Sequence, residues 1–295
     1  MIRRVQLRGT GVALVTPFKN GKIDFNAVER LLSHVIDGGV DFLVPLGSTG
    51  EAALLSDEEQ LQLLEFIVDF NQERLPIISG HIAGNNTAKC LQKIEAAGTL
   101  NLDGYLVASP AYVKPSDVGL IEHYSALAEH SSKPILLYNV PGRTASNMSS
   151  QVTLKLAEKY PNRIWGIKEA SNDMKQIHQI LKYRPDDFLV ISGDDEMSIP
   201  LIAGGADGTI SVIANAFPRL FSDLIKHGLE GNFTSARAKH EAILDIHPWL
   251  YIDGNPSGIK EALSHLNICS NELRLPLCPM TSENKLGLIT ALDKL

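Results

Sequence analysis

Apolar residues gather in short, β-branched runs closed by turn residues: GVALVTPF (11–18), FLVPLG (42–47), PIISGHI (76–82), GYLVASP (104–110), PILLYNV (134–140), IWGIKEA (164–170), FLVISGD (188–194) and GTISVIA (208–214). Between most of these runs the apolar spacing changes to the helical period. The stretch SDEEQLQLLEFIVDF, beginning at Ser56, opens with the S-x-x-E of a capping box, and further helices are predicted at 85–98, 116–130, 149–160 and 172–183. Near-continuous apolar strands alternating with amphipathic helices predict a parallel sheet covered by helices, because a strand buried on both faces carries no polar side. Eight such units in succession predict an α/β fold, a closed (β/α)8 TIM barrel. The rival, a doubly wound open sheet, calls for a glycine-rich fingerprint after the first strand, and TPFKNGK is not one.

Beyond residue 215 the strand pattern stops, and FPRLFSDLIKHGLEG, FTSARAKHEAILDIHPWL and PSGIKEALSHL read as helices. The expected organisation is a barrel over 1–225 with a C-terminal helical region, 226–295, packed on it without a linker. A 44% hydrophobic fraction in 295 residues supplies a substantial core. The formal net charge of −7 lacks the basic excess of a nucleic-acid or anionic-membrane binder, while small neutral or anionic substrates remain compatible with a local cationic pocket. The N-terminal MIRRVQLRGTGVALVTPF has no apolar stretch leading to a cleavage site, and no run is long enough to span a bilayer. Cys90, Cys269 and Cys278 show no CxxC or histidine-paired spacing and read as thiols in a reducing compartment, so a cytoplasmic protein is expected.

A barrel presents its chemistry where strands end, at the C-terminal face. There the sequence places GSTGE (47–51), PAY (110–112), YNVPGRT (138–144), the lysine of GIKEA and SGDD (192–195). Strand alternation puts Ile164, Gly166, Lys168 and Ala170 on one face of the sixth strand, with Trp165, Ile167 and Glu169 on the other. If the bulky face meets the helices, Lys168 points inward, with open space left by Gly166 and Ala170. A confined apolar site disfavours the ammonium and favours the neutral amine that attacks carbonyls. The competing structural reading pairs Lys168 with Asp194 or Asp195 of the next strand. Leu136, Tyr138 and Val140 share a face of the fifth strand, so the Tyr138 phenol is a candidate proton shuttle for imine formation, or else a core tyrosine with a satisfied hydroxyl. Arg143, in a Pro-Gly turn, has the fork that grips a carboxylate. Ser48 and Thr49 lie between glycines in a turn whose amides can converge on an anion. SGDDE also suits a divalent cation, as in a metal-dependent aldolase, but no histidine or acid motif with ligand spacing accompanies it.

Together GSTGE, YNVPGRT and GIKEA resemble the signature regions of the dihydrodipicolinate synthase / N-acetylneuraminate lyase family of class I, Schiff-base aldolases. The likeness runs from GTGVALVTPF through SGDD and GTISVIANAFP to the DGNPSGIK region. It implies a (β/α)8 barrel with C-terminal helices, a homotetramer of tight dimers, and no metal or organic cofactor. By resemblance Lys168 forms the imine with pyruvate, Tyr138 relays protons, and Ser48 and Tyr112 complete a hydroxyl chain, Tyr112 reaching into the neighbouring subunit's site. Thr49 holds the pyruvate carboxylate, Arg143 receives the carboxylate of L-aspartate semialdehyde, and Gly193 and the Ile210 carbonyl line the pocket. The implied activity is condensation of these two substrates to 4-hydroxy-tetrahydrodipicolinate, toward diaminopimelate and lysine. A sialic-acid or 2-keto-3-deoxy sugar acid lyase using the same lysine, and a catalytically silent keto-acid-binding regulator, are the alternatives. Ser48 replaces the usual threonine, and Ala111 and Val113 replace the usual tyrosine and asparagine. Lys89 and Ala111 stand where lysine-inhibited members carry an acid and a tyrosine, implying weak or absent lysine feedback.

Overall fold

The computed structural model describes residues 4–295; the first three residues of the barrel expected over 1–225 lie outside them. Its main sheet comprises β1 (Gly9–Ala13), β2 (Phe42–Val44), β3 (Ile78–Ser79), β4 (Gly104–Ala108), β5 (Ile135–Asn139), β6 (Ile164–Glu169), β7 (Leu189–Ser192) and β8 (Gly208–Ser211). They pair in the order β2-β1-β8-β7-β6-β5-β4-β3. The two ends of that order meet through a parallel bridge between Leu43 and Ile77, beside which Leu43 N donates to Pro76 O at 2.9 Å. The architecture is the expected (β/α)8 barrel.

Strand alternation divides the core in two. Val12, Leu43, Val107, Leu137, Ile167 and Val190 face the helices, whereas Ala13, Val44, Leu106, Leu136, Ile191 and Ile210 fill the barrel. Leu7, from the short 3-10 helix Arg4–Leu7, joins the interior set. Between β5 and β6 the register jumps from Ile135↔Ile164 to Leu136↔Gly166, leaving Trp165 as an extra residue. This bulge interrupts the alternation, so Ile164 packs on the helix side and Trp165 against the interior, while Lys168 remains on the inner face. The first strand also differs: the chain leaves the ladder after Leu14, whose N–H still reaches Val44 O, and Val15 N turns to the Asn215 side chain. Phe18–Lys19 then pairs with Lys22–Ile23 as a separate hairpin.

The expected helices appear as α2 (Asp57–Asn71), α3 (Thr87–Ala96), α4 (Asp117–His130), α5 (Ser150–Lys159) and α6 (Met174–Tyr183), and the capping box of α2 is present between Ser56 and Glu59. Outside those expectations lie α1 (Phe25–Asp37), α7 (Ser198–Ala203) and α12 (Ser282–Leu292). The C-terminal part contains α8 (Pro218–Leu229), α9 (Phe233–Leu244), α10 (His247–Tyr251) and α11 (Ser257–His265). The stretch expected as one helix over 233–250 divides because Pro248 has no N–H for an interior turn and takes a first-turn position in α10 instead. Helix α8 runs through the expected division at 225/226. Among the described residues no helix is long and apolar enough to cross a membrane.

Candidate active site

The parallel register brings Tyr138 of β5 directly opposite Lys168 of β6. Both side chains turn into the barrel, where they are 7% and 5% exposed. Lys168 Nζ lies 4.4 Å from the centroid of the Tyr138 ring. No carboxylate lies within ion-pairing distance of Lys168 among the described residues, so the competing reading of a salt bridge to Asp194 or Asp195 does not hold. Asp195 instead accepts from Val212 N and Ile213 N at 3.0 and 2.9 Å, and burial pushes its carboxyl up to about 6 against those bonds. Asp194 accepts from Asn172 Nδ2 and from the amides of Glu196 and Met197.

Space for the lysine is made by Gly193. A Cβ at that position would stand 3.0 Å from Lys168 Cε and 2.7 Å from Ala170 Cβ. Ile210 is fully buried and belongs to the barrel interior. Behind Lys168, on the helix side of β6, Glu169 accepts from Ser171 N at 2.9 Å, Asn139 Nδ2 at 3.1 Å and Gln176 Nε2 at 3.2 Å. Burial raises the Glu169 pKa while those bonds oppose it. This network ties the ends of β5 and β6 to α6 and so fixes the strands that carry Tyr138 and Lys168.

A cavity of about 550 Å3 opens over this face, lined by Ser48, Ser109, Ala111, Tyr138, Arg143 and Thr144 among others. Lys168, Thr49, Gly193 and Ile210 are not part of that lining; Lys168 stands against the Tyr138 ring at its inner edge. Ser48 is exposed at the mouth and Thr49 buried beneath it. Arg143 sits on a one-turn helix, Pro141–Thr144, with Pro141 at its first position. No hydrogen bond joins the hydroxyls of Ser48, Tyr138 and Tyr112 among the described residues. Tyr112 is 89% exposed, outside this chain's own cavity, with φ at +69° and its N–H on Thr144 O.

The C-terminal region supplies a residue that sequence reading missed. Asn255 Nδ2 donates to Thr49 Oγ1 at 2.9 Å, and Asn255 O accepts from Arg143 at 3.4 Å. One residue thereby touches both Thr49 and Arg143, the two groups expected from the resemblance to bind carboxylates. The NP of DGNPSGIK was the only signal in the sequence, and nothing local says where that loop folds back.

An aldolase-type lyase on a (β/α)8 barrel is the class to which this fold and this strand-end lysine point. The chain belongs to the dihydrodipicolinate synthetase family, whose model matches residues 6–295. It is 43% identical over 285 residues to the 4-hydroxy-tetrahydrodipicolinate synthase of Flavobacterium psychrophilum, spanning 96% of this chain and 97% of that one. The crystal structure of dihydrodipicolinate synthase from Aquifex aeolicus matches with a TM-score of 0.95 at 38% identity, over 98% of each chain. A chloride-inhibited dihydrodipicolinate synthase from Acinetobacter baumannii, solved in complex with pyruvate, matches with a TM-score of 0.94 at 36% identity, again over 98% of each chain.

Proposed function

We propose that this enzyme condenses pyruvate with L-aspartate semialdehyde, with loss of water, to give 4-hydroxy-tetrahydrodipicolinate in the route to diaminopimelate and lysine. Lys168 Nζ adds to the pyruvate C2 carbonyl, and protonation of the resulting hydroxyl expels water to leave the imine. Removal of a C3 proton gives the enamine, whose C3 attacks the aldehyde carbon of the second substrate. The amino group of that substrate then displaces Lys168 from C2, closing the ring and restoring the free amine. Tyr138, stacked on the lysine, carries the protons, with Ser48 and the Tyr112 of a second copy as the outer hydroxyls of the relay.

Thr49 accepts its hydrogen bond from Asn255, which leaves the Thr49 O–H free to donate to the pyruvate carboxylate. Arg143, at the cavity lining, takes the carboxylate of the semialdehyde. Gly193 and Ile210 shape the wall around the imine. The Tyr112 assignment requires a neighbouring subunit, and we assign a homotetramer of tight dimers, working in the cytoplasm. The barrel over 1–225 acts with the 226–295 region as one functional unit.

The observation that carries this reading is a buried lysine amine, 5% exposed and without a carboxylate partner, held on the face of a phenol from the neighbouring strand. Turnover assays with pyruvate plus L-aspartate semialdehyde, run beside pyruvate plus N-acetylmannosamine, test it. Turnover with the semialdehyde alone is expected. Preference for the sugar would move the chain to the sialic-acid lyases, and turnover of neither aldehyde would leave a silent binding protein.

A further inference from the structure

We infer that the buried ion pair of Glu51 and Lys260 is a positioning device for the pyruvate end of the site, holding the Gly47–Glu51 turn against the C-terminal region so that Thr49 meets the carboxylate in one geometry. This rests on the assignment of Thr49 and its turn to the pyruvate carboxylate. Neither residue reaches the reacting atoms; both act through the turn.

Both side chains are completely buried. Lys260 Nζ donates to Glu51 Oε1 and, at 2.8 Å, to Glu272 O, while Arg274 N donates to Glu51 Oε2 at 3.1 Å. The ammonium lies 4.2 Å from the Phe18 ring centroid, and the Arg274 guanidinium lies 4.7 Å from the same ring. Arg274 goes on to grip both carboxylate oxygens of Glu59 at the start of α2. Glu51 itself is at φ +54°, the left-handed region that a glutamate rarely occupies, and it closes the turn two residues after Thr49.

Two charges buried in this way seldom stabilise a fold more than apolar packing of the same shape would. What they add is direction: each carboxylate oxygen has one donor, and both donors come from the C-terminal region. That region also sends Asn255 to the Thr49 hydroxyl, five residues before Lys260. One segment therefore holds one turn at two points, its carboxylate at Glu51 and its hydroxyl at Thr49. Loss of the first tether leaves the lysine chemistry intact and loosens the carboxylate grip.

The test uses the full chain, carrying Glu51→Gln with Lys260→Met, and Glu51→Gln alone. Borohydride trapping at Lys168 is titrated with pyruvate, alongside melting temperature and the KM for L-aspartate semialdehyde. In the double variant the half-saturating pyruvate concentration is expected to rise roughly tenfold, with maximal trapping and semialdehyde KM within about twofold of the parent. Glu51→Gln sets an amide NH2 against one of the two donors and leaves the Lys260 ammonium without its counter-charge, so its titration is expected to shift at least as far. A double variant that traps at the parent's pyruvate concentration overturns the inference, as does an equal rise in both substrate constants, which marks general loosening. If the double variant does not fold, an unshifted Glu51→Gln titration overturns it in the same way. A parent chain that traps no pyruvate at all would instead overturn the assignment of Lys168.

Discussion

At the scale of single residues, the site depends on which atoms are absent as much as on which are present. Lys168 and Lys260 lie in the same five-residue string, GIKEA, at 166–170 and again at 258–262. The first copy is a strand that presents its lysine beside a phenol with no anion in reach; the second is a helix whose lysine is neutralised by Glu51. Identical local sequence therefore gives opposite chemistry, and only tertiary surroundings separate the two. Gly193 is the clearest single dependence, because any side chain there intrudes on Lys168 Cε. Gly193→Ala should lower the melting temperature by a few degrees, because the new Cβ overlaps Ala170 Cβ, and should lower kcat on the order of a hundredfold by displacing the amine. Retention of more than half the parent's kcat would show that the lysine does not need that space.

At the scale of elements, strand existence was legible because each barrel strand is a short apolar run ended by turn chemistry. The inward direction of Lys168 followed from assigning the bulky face of Trp165, Ile167 and Glu169 to the helices, and it survives although Trp165 itself turns to the interior. Ile164 did not, since the bulge at Trp165 arises from pairing with β5, a non-local event that the period of the strand does not encode. For the same reason the Glu169 network and the reach of Asn255 to Thr49 were invisible in sequence. Helix α10 shows a further non-local cost. His247 is fully buried with neither ring nitrogen hydrogen-bonded, facing His240 of α9 and the charges of Asp194 and Glu196, and burial holds its pKa down to about 4 from 6.5. His81 is likewise held down to about 4. A lowered histidine pKa means that, as pH falls below about 6.5, the unfolded chain takes up protons before the folded one, so stability falls progressively until pH reaches about 4. Asp195, with its carboxyl raised to about 6, acts in the opposite sense over the same range, so the contribution of His247 is read as a difference between chains: between pH 7.5 and 4.5 the melting temperature of His247→Leu should fall less, or rise more, than that of the parent. An unchanged pH slope in the variant would show that His247 is not buried neutral.

At the scale of the whole molecule, the barrel and the C-terminal helices meet at the site: Asn255 and Lys260 belong to the latter, Thr49 and Glu51 to the former. Tyr112, Val113 and Val118 are exposed at 89%, 57% and 68%, and the proposed dimer would use Tyr112 from this exposed stretch. A cavity of about 240 Å3 is lined by Lys89, His81 and Lys93, and its one carboxylate, Asp57, is already paired with Lys93 at 3.0 Å. By the resemblance at Lys89 and Ala111, the ammonium of free lysine would meet like charge beside Lys89, so steady-state rates should be unchanged at submillimolar L-lysine, and inhibition in that range would refute this expectation. Intact-mass and peptide mapping after borohydride treatment with pyruvate should place one reduced pyruvyl adduct on Lys168 and none in a Lys168→Ala chain; an adduct elsewhere, or none, would contradict the account.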